Sequence, residues 1–147
     1  MKGLRKWAWK ELPVYNGFSH EERVRGWQVI NFLMENRLVA RPAVCCISGR
    51  TDRVTLHSET YYHWTPYALN QSIHLALHRR FRSPDHWRAI VDRYAITGEE
   101  WFARLSYAPV DVAAQLRANY GPQIVDIFSR ASEGFGLSIP RPTGQDT

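Results

Sequence analysis

The spacing of apolar and polar positions divides the chain into short segments, most of which have the period of an amphipathic helix. The first follows the capping-box sequence Ser19–Glu22, has an apolar stripe running from Val24 to Met34, and ends near Asn36. Within that stripe, the sequence places Trp27 and Ile30 on the face that packs against the core. A helix is therefore predicted over roughly residues 20–36.

Two short β-type segments come next, Val44–Ile47 and Val54–His57. The turn residues Ser48–Asp52 lie between them and predict that the two segments pair as a hairpin. A loop containing Pro66 then leads into a helical run, Asn70–Phe81. The predicted order is strand, strand, helix.

Start and stop signals predict the remaining helices. One begins at Ser83–Asp85, and a second begins at Thr97–Glu100, where the capping-box pattern is repeated. A third follows Pro109 and stops at Gly121-Pro122, and a last one covers Ile124–Gly134. The expected fold class is α+β, mostly α, with one small hairpin among several amphipathic helices.

Length and composition predict one globular domain over residues 1–139, with a flexible tail at 140–147. The chain has 147 residues, of which 44% are hydrophobic and 13% aromatic, so a packed core is expected. Trp7 and Trp9 lie in an irregular arm, where packing is favoured over stacking on nucleic-acid bases. No apolar run approaches the ~20 residues of a membrane span, and a cytoplasmic protein is expected.

Candidate chemistry is concentrated around the predicted hairpin and the helix after it. His74 and His78 are spaced i, i+4, which places both imidazoles on one helix face, and His57 ends the preceding strand. Two imidazoles one helical turn apart are a common way to offer nitrogen ligands to a single metal ion. The sequence therefore predicts a metal site at these three histidines.

These residues resemble, over about residues 44–82, the HNH endonuclease-like (ββα-metal) family, whose unit is a hairpin and a helix around one divalent ion. Cys45–Gly49 matches the first zinc knuckle of that family, His57–Tyr61 the end of the hairpin, and Asn70–His74 the second knuckle, with His78 after it. The resemblance implies a metal-dependent endonuclease that cleaves phosphodiester bonds.

The resemblance also assigns roles to individual residues. His57, His74 and His78 match metal ligands for Mg²⁺, Mn²⁺, Ni²⁺ or Zn²⁺, and His57 and Glu59 are the catalytic candidates. Ser58 stands where the family places its general base, and a serine hydroxyl does not serve as a base near neutral pH. A shift of one residue would make His57 the base and leave Glu59 to help hold the metal, and His63 is a further candidate.

No structural zinc is expected. Of the four knuckle cysteines only Cys45 is present, with Ser48, Asn70 and Ile73 at the other positions. Cys45 and its neighbour Cys46 are instead interpreted as small apolar residues of the first strand, in a reducing compartment.

The formal net charge of +5 favours an anionic partner, and Arg79, Arg80 and Arg82 follow His78 within about one turn. These arginines are the predicted nucleic-acid-binding residues, with DNA favoured over RNA.

Two alternatives stay open. The chain could be a catalytically inactive HNH-like module that contacts nucleic acid or a nucleic-acid-processing protein, as a phage- or plasmid-type regulator or inhibitor does. The individual residues also have ordinary interpretations, since paired histidines are common on helix surfaces and Glu59 could form a salt bridge with an arginine.

Overall fold

A computed structural model of the chain describes residues 1–61 and 66–122. Its elements are α1 (His20–Glu35), β1 (Val54–His57), β2 (Tyr67–Asn70), α2 (Gln71–His78), α3 (Pro84–Tyr94), a 3₁₀ turn (Trp101–Arg104) and α4 (Val112–Tyr120). The predicted α+β, mostly α class is confirmed. The helix predicted at Ile124–Gly134 and the tail predicted at 140–147 lie outside the described residues. Within the described part of the chain, no helix has both the length and the apolarity needed to cross a bilayer.

The chain divides into two compact units. The first comprises Met1–Arg41, Ser58–Pro66 and Asp111–Thr147, and the second comprises Pro42–His57 and Tyr67–Val110. Whether residues 1–139 form a single domain is not tested by this division, and the single domain stays a prediction.

In the first unit, α1 has the predicted bounds because its capping box forms. The Glu22 amide donates to Ser19 Oγ, and the Ser19 amide donates to the Glu22 carboxylate at 2.9 Å. The predicted face is buried at Ile30 and Met34, but not along its whole length. Trp27 is partly exposed, whereas the core cluster forms around Val29 and its neighbours Phe32 and Leu33. The second half of α1 is buried nearly all round, so one apolar stripe did not define its contacts.

In the second unit, the predicted hairpin has the wrong first strand. Residues 46–48 form a turn, in which the Gly49 amide donates to the Cys45 carbonyl and the Cys45 amide donates to the Arg50 carbonyl. This early reversal prevents Val44–Ile47 from pairing with β1. Cys45 is buried in that turn and Cys46 is exposed, so the interpretation of both as strand residues is also wrong.

The partner of β1 is instead β2, which the sequence analysis placed in a loop and the start of a helix. The two strands are antiparallel, and their register pairs Thr55 with Leu69 and His57 with Tyr67. Opposed residues in an antiparallel pair point to the same face of the sheet. All four of these side chains therefore lie on one face of the hairpin.

Strand β2 runs directly into α2 at Asn70, which is fully buried. The Asn70 side-chain oxygen accepts from the Ser72 amide at 3.0 Å and caps the helix. The Asn70 Nδ2 group donates to the Asp52 carbonyl at 2.9 Å, which joins the start of α2 to the turn before β1.

The later elements follow the predicted signals in part. Helix α3 begins at Pro84, as predicted, and buries Trp87 completely. The predicted capping box at Thr97–Glu100 does not form: the Thr97 hydroxyl donates to the Glu100 carboxylate, and only the four-residue 3₁₀ turn follows. In the first unit, α4 ends at Gly121, as predicted.

Replacing Asn70 with Ala is expected to lower the free energy of unfolding by about 2–3 kcal/mol. The change removes a helix cap worth about 1 kcal/mol and leaves the Asp52 carbonyl without its Asn70 donor. Urea denaturation measures the loss. Gln71→Ala, at the exposed neighbouring position, is the matched control and should change stability by no more than about 0.5 kcal/mol. Equal stability of the two variants would contradict this role for Asn70.

Candidate metal centre

Strand β1 and helix α2 supply the three histidines that form the candidate site. Alternation along β1 puts Thr55 and His57 on the same face, and the i, i+4 spacing in α2 puts His74 and His78 on one side of that helix. These two faces meet within the second unit. We call the group His57, His74 and His78 the histidine centre.

The ring nitrogens of the histidine centre converge on one point. His57 Nδ1 lies 3.3 Å from His74 Nε2, and His78 Nε2 lies 3.1 Å from the same nitrogen. One ligand nitrogen from each ring lies within 4.8 Å of the other two. Two nitrogens bound to Zn²⁺ at 2.0–2.1 Å with tetrahedral angles lie about 3.3–3.4 Å apart. The three histidines are therefore close enough together to hold a metal ion.

The histidine centre is closed on the strand side and open on the helix side. His57 is 1% exposed, whereas His74 and His78 are partly exposed. The Trp101 ring is nearly parallel to the His57 ring at 6.2 Å and stacks on Tyr67 at 3.9 Å. The two aromatic residues lie beside the buried histidine, and the two helix histidines are the more exposed members of the centre.

Sequence reasoning missed Thr55, Tyr67 and Trp101 as neighbours of this site. The Thr55 hydroxyl lies 2.8 Å from His74 Nδ1, the ring nitrogen that does not face the other histidines. The alternation of β1 alone could have indicated Thr55, because it is two residues from His57. The contribution of Trp101, by contrast, depends on a contact 44 positions along the chain from His57, which no local pattern indicates.

Glu59, a predicted catalytic residue, belongs to the first unit. Its carboxylate accepts from the Tyr15 hydroxyl at 2.9 Å and from the Asn16 side-chain amide at 2.7 Å. Among the residues that the structure describes, it does not join the histidine centre as a metal ligand. The predicted candidate His63 lies outside the described residues.

Of the three arginines predicted to contact nucleic acid, Arg79 and Arg82 are exposed and Arg80 is 1% exposed. Arg80 Nε donates to the Ser106 carbonyl at 2.7 Å, and a terminal nitrogen donates to the Leu77 carbonyl at 3.0 Å. The assignment of Arg80 to a nucleic-acid surface is therefore wrong. Its buried guanidinium is held by backbone oxygens, whereas Arg79 and Arg82 are exposed.

The positions that resemble zinc knuckles are held by hydrogen bonds and packing. The Ser48 amide donates to Cys45 Sγ at 3.4 Å, and Ile73 is buried. Burial acts to raise the pKa of the Cys45 thiol, but hydrogen bonds with Ser48, Asn70 and Ile47 together outweigh it, so the pKa is lowered. Across residues 1–61 and 66–122, the histidine centre is the one group of three or more potential ligands close enough to hold an ion.

Comparison with protein-family models, curated proteins and solved structures found no match to this chain. The resemblance to HNH endonucleases therefore stays an expectation from residue pattern. The function has to be argued from the geometry of the histidine centre and its surroundings.

Replacing any one of His57, His74 or His78 with Ala should weaken Zn²⁺ binding by at least about 100-fold. Losing a residue that only hydrogen-bonds to a metal ligand costs up to about 100-fold, and losing a ligand itself should cost at least as much. A second replacement should add much less than the first, because one ion needs all three nitrogens. Isothermal titration calorimetry measures both effects, and affinity should also fall at lower pH, where protons compete for imidazole nitrogen.

The matched control is His86→Ala, since His86 is exposed on α3 and lies outside the centre. Its Zn²⁺ affinity should equal that of the unmodified chain. Independent, additive losses from the three histidine replacements would contradict a single shared ion.

Proposed function

We propose that the chain is a divalent-metal-dependent endonuclease in which the histidine centre holds one ion against a phosphodiester bond of nucleic acid. The observation that carries the proposal is the convergence of three imidazole nitrogens on one partly exposed point. Three protein ligands with an accessible fourth position are typical of catalytic metal sites, whereas closed four-ligand sets are typical of structural ones.

The ligand set narrows the choice of ion. Imidazole nitrogen suits Zn²⁺, Ni²⁺ and related ions, whereas Mg²⁺ prefers carboxylate, carbonyl and water oxygens. The histidine centre offers three nitrogens and, among the described residues, no carboxylate. Of the four ions that the sequence analysis allowed, Zn²⁺ and Ni²⁺ fit best.

The residues of the chain would hold the ion and orient the phosphate. His57 is fixed by burial, His74 and His78 complete the ligand set from the open side, and exposed Arg79 offers a charge-assisted hydrogen bond to a phosphate oxygen. A bound Zn²⁺ supplies a Lewis acid for the developing negative charge and lowers the pKa of water to about 7. That property supports activity without a separate general base at Ser58.

Cleavage of supercoiled plasmid DNA, single-stranded DNA and RNA with Zn²⁺, Ni²⁺, Mn²⁺ or Mg²⁺ tests this function. We expect duplex DNA to be nicked with Zn²⁺ or Ni²⁺, and EDTA to abolish the activity. His74→Ala should lower the rate at least about 100-fold, because one of the three metal ligands is lost.

His86→Ala is again the control and should retain full activity. Cleavage that survives in His74→Ala would point to a contaminating nuclease. No cleavage of any substrate with any of the four ions would contradict the enzymatic proposal and favour the binding module described next.

The second candidate is a metal-holding module that binds nucleic acid without cutting it. The specific observation in its favour is that Glu59 lies among Tyr15 and Asn16 in the first unit, while Ser58 occupies the position expected for the base. Arg79 and Arg82 remain exposed directly after α2 and suit phosphate contacts.

The double variant Arg79→Ala/Arg82→Ala should weaken DNA binding similarly for all sequences. It should also reduce the slope of log affinity against log salt by about 1–2, because each phosphate contact releases counterions. Fluorescence anisotropy over a salt series measures both quantities. Lys6→Ala/Lys10→Ala removes the same charge from exposed positions in the first unit and should leave the slope nearly unchanged. Equal slopes for the two double variants would contradict a phosphate-binding role for these arginines.

A further inference from the structure

Thr55 occupies a position between the backbone of β2 and the ring of His74. Its hydroxyl donates to the Leu69 carbonyl at 3.1 Å and lies 2.8 Å from His74 Nδ1. Leu69 is directly opposite Thr55 in the strand register, so the carbonyl is fixed by the hairpin itself. The hydroxyl is therefore held at a defined place beside the histidine centre.

The Thr55 hydroxyl has a single proton, and this determines which ring nitrogen of His74 is protonated. A threonine hydroxyl has one proton to donate and lone pairs that accept. The Leu69 carbonyl has only lone pairs, so we infer that it takes the Thr55 proton and that His74 Nδ1 donates to Thr55 Oγ1 across the 2.8 Å contact. His74 then carries its proton on Nδ1, and its Nε2 carries the lone pair.

That lone pair is on the nitrogen shared by the other two histidines. His57 Nδ1 and His78 Nε2 lie 3.3 and 3.1 Å from His74 Nε2. In the metal-free protein one of these rings can donate an N–H group to that lone pair, and the His78 Nε2 contact is the shorter of the two. Because a ligating nitrogen must be unprotonated, a bound ion would take the place of that proton, which would leave to solvent or to the other nitrogen of the same ring.

We propose that Thr55 is a positioning residue that fixes His74 as the Nδ1–H tautomer, so that the lone pair that would bind a divalent transition-metal ion is on His74 Nε2. Outer-shell hydrogen bonds of this kind orient metal-ligating histidines and strengthen their binding. The proposal rests on the metal centre of the proposed function, but not on nuclease activity. Thr55 would then be a fourth residue, besides the three histidines, that is needed for tight metal binding.

The protonation of His74 in the unmodified chain is the first test. Long-range ¹H–¹⁵N NMR of the metal-free protein, assigned with the His74→Ala variant, distinguishes the two tautomers. We expect His74 to carry its proton on Nδ1. A signal from protonated Nε2 would overturn the proposal, whatever the variants described next do.

The second test is Zn²⁺ affinity, measured by competition with a chromophoric chelator and without nucleic acid. Thr55→Val keeps the shape of the side chain and removes the hydroxyl, and it should weaken Zn²⁺ binding about 10–100-fold. Thr55→Ser restores the hydroxyl and should bind Zn²⁺ nearly as tightly as the unmodified chain. Thr51→Val is the matched control at an exposed threonine of the same unit and should have no effect.

Each outcome supports or overturns the proposal. Unchanged affinity in Thr55→Val, or a loss in Thr55→Ser as large as in Thr55→Val, would overturn it, because the methyl group rather than the hydroxyl would then matter. If circular dichroism shows that Thr55→Val does not fold, the NMR result and Thr55→Ser decide. A folded, unmodified chain that binds no Zn²⁺ would overturn both this role and the metal centre, whereas a chain that binds Zn²⁺ normally and cuts nothing would overturn only the nuclease.

Discussion

Strand β2 passes into helix α2 with no intervening loop, and the site depends on how that junction is held. Asn70 is the last residue of the strand and the cap of the helix, and its side-chain amide also binds the Asp52 carbonyl in the turn before β1. The junction therefore fixes the first turn of α2 relative to both strands. Because His74 lies in the next turn, its ring is placed beside Thr55 and His57 by backbone geometry rather than by long side-chain contacts. The convergence of the three histidines follows from this connection.

The charges of the site suit an anionic ligand. Three neutral imidazoles contribute no negative charge, so a divalent ion in the histidine centre would keep its full positive charge towards the open side. Burial of His57 lowers the local dielectric and strengthens that field. The exposed Arg79 and Arg82 add positive charge directly after the helix. This combination supports a phosphate-bearing partner for either proposed function, and catalysis then depends on whether water at the ion is activated.

Sequence patterns predicted the features that depend on neighbouring residues and failed where distant residues decide. The bounds of α1 followed from its capping box, the start of α3 from the proline at its first position, and the pairing of His74 with His78 from helical spacing. The hairpin partner was wrong, because Val44–Ile47 and Tyr67–Asn70 are equally short and only tertiary hydrogen bonds select between them. The burial of Arg80 was missed for the same reason, since its guanidinium binds the carbonyl of Ser106, 26 residues away. The expectation that His57 lies near the helix pair came from strand–helix order and from the family resemblance.

X-ray absorption spectroscopy of the full chain loaded with one equivalent of Zn²⁺ tests the central claim most directly, because it reports the ligand atoms around the ion. The account predicts three nitrogen neighbours at about 2.0–2.1 Å with the multiple-scattering pattern of imidazole, and no sulfur neighbour. His57→Ala, His74→Ala and His78→Ala should each reduce the imidazole signal. Sulfur at about 2.3 Å would instead place the ion at Cys45 or Cys46. That result, or a shell made only of oxygen, would contradict a metal site at the histidine centre.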